Sequence, residues 1–226
     1  EWRDDYLQVI SNTIDILIVE KAPSAARLVF KKFLPDDKIA EKIAIYADDV
    51  DSLTDRFNES FTFRALTYQP NWKNKLLRKF YEGVFYDDEI EVISRQLKQK
   101  AKVEISRAMN EIKIMKADSG LKFAFIDLRG IKLPKSWIAR KISEKLDLDF
   151  TVILRRSNAI SLYRGAKIKV INLLPVALKY GGGGHPYACG FRLKLSLKSK
   201  LLSLILGKKY IPSEVWDAIK TVKENM

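Results

Sequence analysis

The sequence predicts an α/β protein with three parts: a short β-α-β unit, a long connecting helix and a C-terminal α/β domain with a mixed sheet. Three observations predict it. Short apolar runs alternate with stretches of helical periodicity. The stretch from Asp87 to Lys116 contains neither Gly nor Pro. The charge also divides near the end of that stretch. Residues 1–118 carry 20 Lys+Arg against 21 Asp+Glu, whereas residues 119–226 carry 21 against 7, so the formal excess of +13 lies in the second half.

The elements follow in order. Thr13 to Val19 (TIDILIV) is an apolar run bounded by polar residues and reads as a buried strand. Ser24 is placed to cap a helix over Ala25 to Leu34, with Leu28, Val29 and Phe33 on one face. Pro35-Asp36-Asp37 stops it, and Lys42 to Tyr46 (KIAIY) reads as a second strand, giving a small parallel sheet. Phe61 to Leu66 reads as a third strand or a connector, and Asn71 to Tyr81 as a helix. Ile90, Ile93, Leu97, Ala101, Ile105, Ala108, Ile112 and Met115 recur three or four apart, which makes Asp87 to Lys116 one amphipathic helix ended by Asp118-Ser119-Gly120.

Beyond it come a strand (Lys122 to Leu128), a helix (Pro134 to Leu146) and two strands (Asp149 to Leu154, Ala159 to Tyr163). Ile168 to Leu178 is helical in part. A glycine-rich segment from Gly181 to Gly190 leads into a closing strand over Phe191 to Leu195, and two helices end the chain, at Leu201 to Leu206 and Pro212 to Val222. The expected boundaries are 1–86, 87–118, 119–195 and 196–226.

Composition narrows the function. One Cys excludes an internal disulfide framework and a Cys-rich zinc site. One His excludes any site that needs two imidazoles. No apolar run is long enough to span a membrane. The opening Glu1-Trp2-Arg3-Asp4-Asp5 lacks a signal-peptide layout, so a soluble intracellular protein is expected. A half-chain this basic points to a polyanion, of which nucleic acid is the commonest in cells. Asp48, Asp49, Asp51 and Asp55 form an acidic cluster. Hard cations bind such clusters, but no partner cluster is visible, so these residues read as solvated or helix-capping. Cys189, among small residues and without a partner thiol, reads as buried and non-catalytic.

The most informative segment is Tyr180 to Phe191, YGGGGHPYACGF. Four successive glycines are costly in backbone entropy, so packing is not expected to be the reason for them. They read as a place where backbone N–H groups approach a phosphate, with His185 and Arg164 as further donors. Without a following Gly-Lys-Ser/Thr the run is not a P-loop.

GGGGHPYACGF resembles the GGGH-x-x-A-x-G signature of the DHH-associated C-terminal domain. That domain occurs in RecJ-like DHH phosphoesterases and, in related form, in alanyl-tRNA synthetases. The resemblance runs back through KFAFIDL, DFTVIL and SLYRG, covering Leu121 to Leu195. It implies that Arg164, Gly182, Gly183, Gly184 and His185 contact nucleic-acid phosphate, with Arg155, Arg156 and Arg192 on the neighbouring basic strands. The N-terminal part is similar to a truncated, degenerate DHH domain. DILIVEKAPSAARLVF stands where the family has an Asp-rich, Gly-containing metal loop, and the Asp-His-His motif is absent. The resemblance therefore implies a non-catalytic chain without a metal or other cofactor. The sequence looks like the short archaeal RecJ-like DNA-binding proteins that partner the GINS complex and support MCM helicase, which implies a CMG-like assembly on single-stranded DNA in the archaeal cytoplasm. An active or fragmentary nuclease or nano-RNA phosphodiesterase, and an RNA- or tRNA-binding module, are the alternatives.

Overall fold

The computed structural model describes residues 14–52, 54, 56–167 and 170–226. Thr13, Asp55, Ile168 and the opening Glu1 to Asp5, all used in the sequence reading, lie outside the described residues. The fold is α/β with a six-stranded mixed sheet. The chain divides into two compact units. One comprises the described residues up to Phe63 together with Asn74–Phe85, and the other Arg64–Lys73 together with Tyr86–Met226.

The first unit is helical, and here the structure departs from the sequence reading. Ser24 caps α1 (Ala25–Phe33) as expected, its Oγ accepting from the Arg27 N–H at 3.2 Å. Val29 and Phe33, however, remain about half exposed. Ile14 to Val19 forms no strand, and Ile14, Ile16, Leu17 and Val19 are exposed. A strand needs a pairing neighbour, and among the described residues every strand lies after residue 112.

The KIAIY run belongs to α2 (Lys38–Ser52). Its alternation sits inside a longer helical pattern. Asp37 starts the helix by accepting from the Ile39 and Ala40 N–H groups, both at 2.8 Å. Phe61 to Leu66 is likewise helical, in α3 (Asn58–Leu66). α4 is Trp72–Tyr81, close to expectation. The core of this unit is aromatic: Tyr46 meets Phe57, Phe63 and Phe85, and Phe80 meets Phe63 and Phe85, at ring separations of 4.8–6.0 Å.

In the second unit, α5 (Asp88–Asn110) is capped by Asp87 and buries Ile90, Leu97, Ala101 and Ala108, as its periodicity predicts. It ends earlier than expected. Lys113–Lys116 is strand β1, turned by Ala117 to Gly120 into β2 (Lys122–Asp127). Gly120 at φ +91° permits that turn, so Asp118-Ser119-Gly120 closes a hairpin instead of a helix. α6 (Lys135–Leu146) crosses to β3 (Phe150–Arg156), which runs parallel to β2. β4 (Ala159–Arg164), α7 (Leu174–Lys179), β5 (Gly183–His185) and β6 (Ala188–Arg192) follow. The glycine-rich segment is thus itself a hairpin, and the closing strand stops at Arg192 instead of Leu195. α8 (Leu197–Leu206) and α9 (Ser213–Asn225) complete the chain.

The sheet order is β1-β2-β3-β4-β6-β5. One face carries the main core. Phe123, Phe150, Val152, Leu154, Leu162, Cys189 and Phe191 pack with Val176 and Ala177 of α7 and Val215, Ala218 and Val222 of α9. Strand alternation sends Ser161, Tyr163, Gly190 and Arg192 to the other face. Among the described residues, no helix is long and apolar enough to cross a membrane.

Candidate nucleic-acid interface

Three structural choices build a groove on that second face. The first is a register shift in β3 between Leu154 and Arg156, where it pairs with β4. A bulge sends consecutive side chains to one side, and both Arg155 and Arg156 line the groove. The second is the β4–β6 pairing, which sets Arg192 opposite Ala159 and Gly190 opposite Ser161. The third is the β5–β6 hairpin, which lays Gly183 opposite Gly190. The cavity has a volume of about 600 Å³, and no acidic residue lines it. Arg155 Nη1 donates to Ser161 Oγ at 3.4 Å. Tyr163 also lines the groove, and burial raises its phenol pKa.

The glycine run has a different basis from the one the sequence suggests. A Cβ on Gly182 would stand 2.2 Å from the Gly190 carbonyl oxygen, and one on Gly184 would stand 2.6 Å from that of Ala188. Gly184 also sits at φ +129°. Those glycines are needed for the hairpin to close, so packing is a reason for the run after all. Gly183 is not needed for closure: a Cβ there meets nothing within 4 Å, at an ordinary φ. It is the residue of the run that leaves the groove open without an internal reason.

Seven of the eight expected contact residues divide into two places. Arg155, Arg156, Arg192, Gly182 and Gly183 come together in the groove. Arg164 and His185 gather instead around Tyr187. The Arg164 guanidinium lies 5.4 Å from the Tyr187 ring centre, and the exposed His185 ring stacks on Tyr187 at 5.3 Å and 5°. Gly184 pairs with Cys189, whose side chain belongs to the core face. Cys189 is buried, and burial pushes its thiol up to about 11, so it stays protonated near neutrality. Phe191 is core, stacked on Tyr180 at 4.5 Å.

Arg64, Tyr68 and Lys135, which the sequence did not single out, lie outside the lining of the groove. Arg64 Nη1 donates to Ser136 Oγ at 3.1 Å, and Lys135 Nζ lies 5.9 Å from the Tyr68 ring centre.

Two residues of the acidic cluster, Asp48 and Asp49, are structural. Asp48 is buried and accepts from Ser24 Oγ at 2.7 Å and from Arg27 Nε and Nη2 at 2.9 and 2.5 Å. Asp49 is fully buried and accepts from Thr54 Oγ1, from the Arg56 and Phe57 N–H groups at 2.8 and 3.1 Å, and from Ser60 Oγ at 2.5 Å. Both are therefore buried and bonded instead of solvated, Asp49 holding the turn into α3 and Asp48 tying α1 to α2.

No family model and no curated protein matches the sequence. Among solved structures, the chain is similar to the pGpG-specific phosphodiesterase PggH from Vibrio cholerae. The identity is 13%, the match covers 83% of this chain and 73% of that one, and the TM-score is 0.48. It is also similar to an exopolyphosphatase-related protein from Bacteroides fragilis (16% identity, 82% and 56% covered, TM-score 0.45). A third is RecJ from Thermus thermophilus in complex with Mg²⁺ (14% identity, 77% and 28% covered, TM-score 0.40). The chain thus spans about half of the second of these proteins and under a third of RecJ. Such low identities bear on the fold alone.

Proposed function

We propose that this protein is a RecJ-like single-stranded-DNA-binding subunit without phosphoesterase chemistry, working with GINS and MCM in a replicative helicase assembly. The groove over β4 and β6 carries the reading. It offers three arginines, no carboxylate, and a glycine with room above it. Guanidinium groups pair with phosphate through parallel N–H donors, and Tyr163 supplies a ring against which a base can stack. The absence of phosphoester chemistry is supported by a single histidine in the chain and by the engagement of Asp48 and Asp49 in the fold. The replication role is supported by the RecJ-like glycine loop. A protein partner is supported by α8, where Leu197, Leu201, Leu204 and Ile205 form an exposed stripe at helical spacing.

Gly183→Val tests the groove. The side chain enters open space, so stability should stay within about 0.5 kcal/mol of the parent. Affinity for oligothymidylate, read by fluorescence anisotropy, should fall about tenfold or more, and Arg155→Ala with Arg192→Ala should match it, with a shallower salt dependence. Unchanged affinity in both variants would remove the groove from the binding site. Mn²⁺-dependent release of mononucleotides would overturn the non-catalytic reading, and preference for folded tRNA over single-stranded DNA would overturn the ligand. Gel filtration of the native protein should show GINS subunits co-migrating. A lone monomer would count against the assembly.

A further inference from the structure

α8 is amphipathic in the opposite sense to a core-packing helix, which turns its apolar stripe inward. Here a serine faces inward. Ser199 is 2% exposed, its Oγ donating to Glu214 Oε2 at 2.7 Å and lying 3.2 Å from the Tyr210 hydroxyl. Leu197, Leu201, Leu204 and Ile205 face outward and are 56–82% exposed.

The helix is nevertheless held at both ends. At its start, Ser196 Oγ accepts from the Ser199 N–H at 3.2 Å, and Glu214 accepts from the Ser196 N–H at 2.8 Å. Just past its end, Arg129 Nη1 and Nη2 donate to the Tyr210 and Lys208 carbonyls, both at 2.8 Å. The fold thus fixes α8 in place with its leucines in water, where they forgo the free energy of burial.

The rim of the stripe says what covers it. At about 100° per residue, Lys198 and Lys200 fall on opposite flanks of the stripe, and both are exposed. From Phe150 to Ser213 the sequence holds no Asp or Glu. A cleft of about 690 Å³ lies beside α8, lined by Asn158 of the β3–β4 turn, by Leu193 and Leu195, and by Lys200 and Leu204 of α8, and its described lining holds no carboxylate. Lys200 and Leu204 join the cleft to the stripe. A second copy of the chain fits this face badly, because a two-fold contact brings the lysines of both copies together. A flat lipid surface leaves the cleft empty. A helix with apolar side chains at i, i+3, i+4 and i+7 and carboxylates along both flanks fills the cleft, covers the stripe and pairs with both lysines.

We propose that α8 and the cleft beside it dock an acidic amphipathic helix of a partner protein. This rests on the reading of α8 as the protein-binding face, and it names the chemistry of the segment that face takes.

The probe is a fluorescein-labelled peptide of about five helical turns, with Leu and Phe at i, i+3, i+4 and i+7 and Glu on both flanks, titrated with the full chain and read by anisotropy. It should bind with a micromolar Kd that weakens as salt rises. A scrambled peptide of the same composition should bind about tenfold more weakly or worse. Leu201→Gln with Leu204→Gln should keep the parent's melting temperature, since both side chains are exposed, and should lose peptide affinity about tenfold or more. Lys198→Glu with Lys200→Glu should lose the Glu-flanked peptide and gain a Lys-flanked one. Absence of binding, equal binding of the scrambled peptide, or unchanged affinity in the leucine variant would overturn the proposal. So would preferential binding of phosphatidylserine vesicles that the leucine variant loses, which assigns the face to lipid. A concentration-dependent dimer lost in the same variant would overturn it in favour of a second copy. The leucine variant should keep the parent's affinity for oligothymidylate, so the groove is read separately. Peptide binding without co-migrating GINS would remove the assembly and leave the docking face, whereas GINS co-migrating without peptide binding would do the reverse.

Discussion

Arg129→Ala should lower stability by about 3–5 kcal/mol, the usual result of stripping one partner from a buried ion pair. Arg129 is 6% exposed and joins two parts of the second unit. Its Nε donates to both Asp127 carboxylate oxygens at 3.0 Å, and its Nη2 to Oδ2 at 2.7 Å. The remaining donors reach across to the Tyr210 and Lys208 carbonyls, both at 2.8 Å. Truncation therefore leaves a carboxylate with little solvent and two backbone carbonyls without their donor. Lysine is no substitute, because a single ammonium has no planar fork to serve three acceptors in different directions. Asp127→Ala with Arg129→Ala should recover part of the loss, since it also removes the orphaned carboxylate. Urea unfolding followed by circular dichroism measures both. A cost under about 1 kcal/mol for Arg129→Ala would mean that the pair behaves as an exposed one.

Much of the second half of the chain was legible because β2, β3 and β4 are short apolar runs closed by Gly, Pro or charge, and the sheet supplies the partner each run needs; β5, a Gly-Gly-His strand, carries no such signal. Lys122 to Leu128 and Ala159 to Tyr163 lie within a residue or so of β2 and β4. The first half was misread where a short run fits two periods at once. KIAIY alternates, but Ile39, Ile43 and Ala44 also lie on one helical face, and Asp37 at the preceding turn decides between them. Lys113 to Lys116 failed in the opposite direction. Its apolar residues continue the spacing of α5, yet pairing with β2 overrides that continuation. In the site, the glycines and arginines were visible as residue types. Their division into a groove and a Tyr187 cluster was not, because it depends on a bulge and on strand register.

The second large effect belongs to Asp49. Asp49→Asn should destabilise the first unit by about 2–3 kcal/mol at neutral pH, and the deficit should shrink in acid. The carboxylate is fully buried and surrounded by donors: two hydroxyls and two backbone N–H groups, with Arg56 Nε at 3.7 Å. Burial alone would raise its pKa. The hydrogen bonds from Ser60, Thr54, Arg56 and Phe57 outweigh burial and hold it down at about 2, against an ordinary value of 3.8. A tenfold change in acidity corresponds to about 1.4 kcal/mol, so the charge contributes about 2 kcal/mol. A group whose folded pKa is depressed gives its full stabilisation above the unfolded value and loses it as pH falls toward the folded one. The window is therefore from about pH 4 down to about pH 2. The neutral amide of Asn cannot accept from every one of these donors, because its nitrogen presents hydrogens of its own. Thermal melts of the parent and Asp49→Asn at neutral pH and across that acid window test the argument. Convergence of the two proteins in acid is expected. A gap that stays constant with pH would place the cost in hydrogen-bond geometry and not in the charge, and Asp49 would then act as a shape-fitting residue in the turn between α2 and α3.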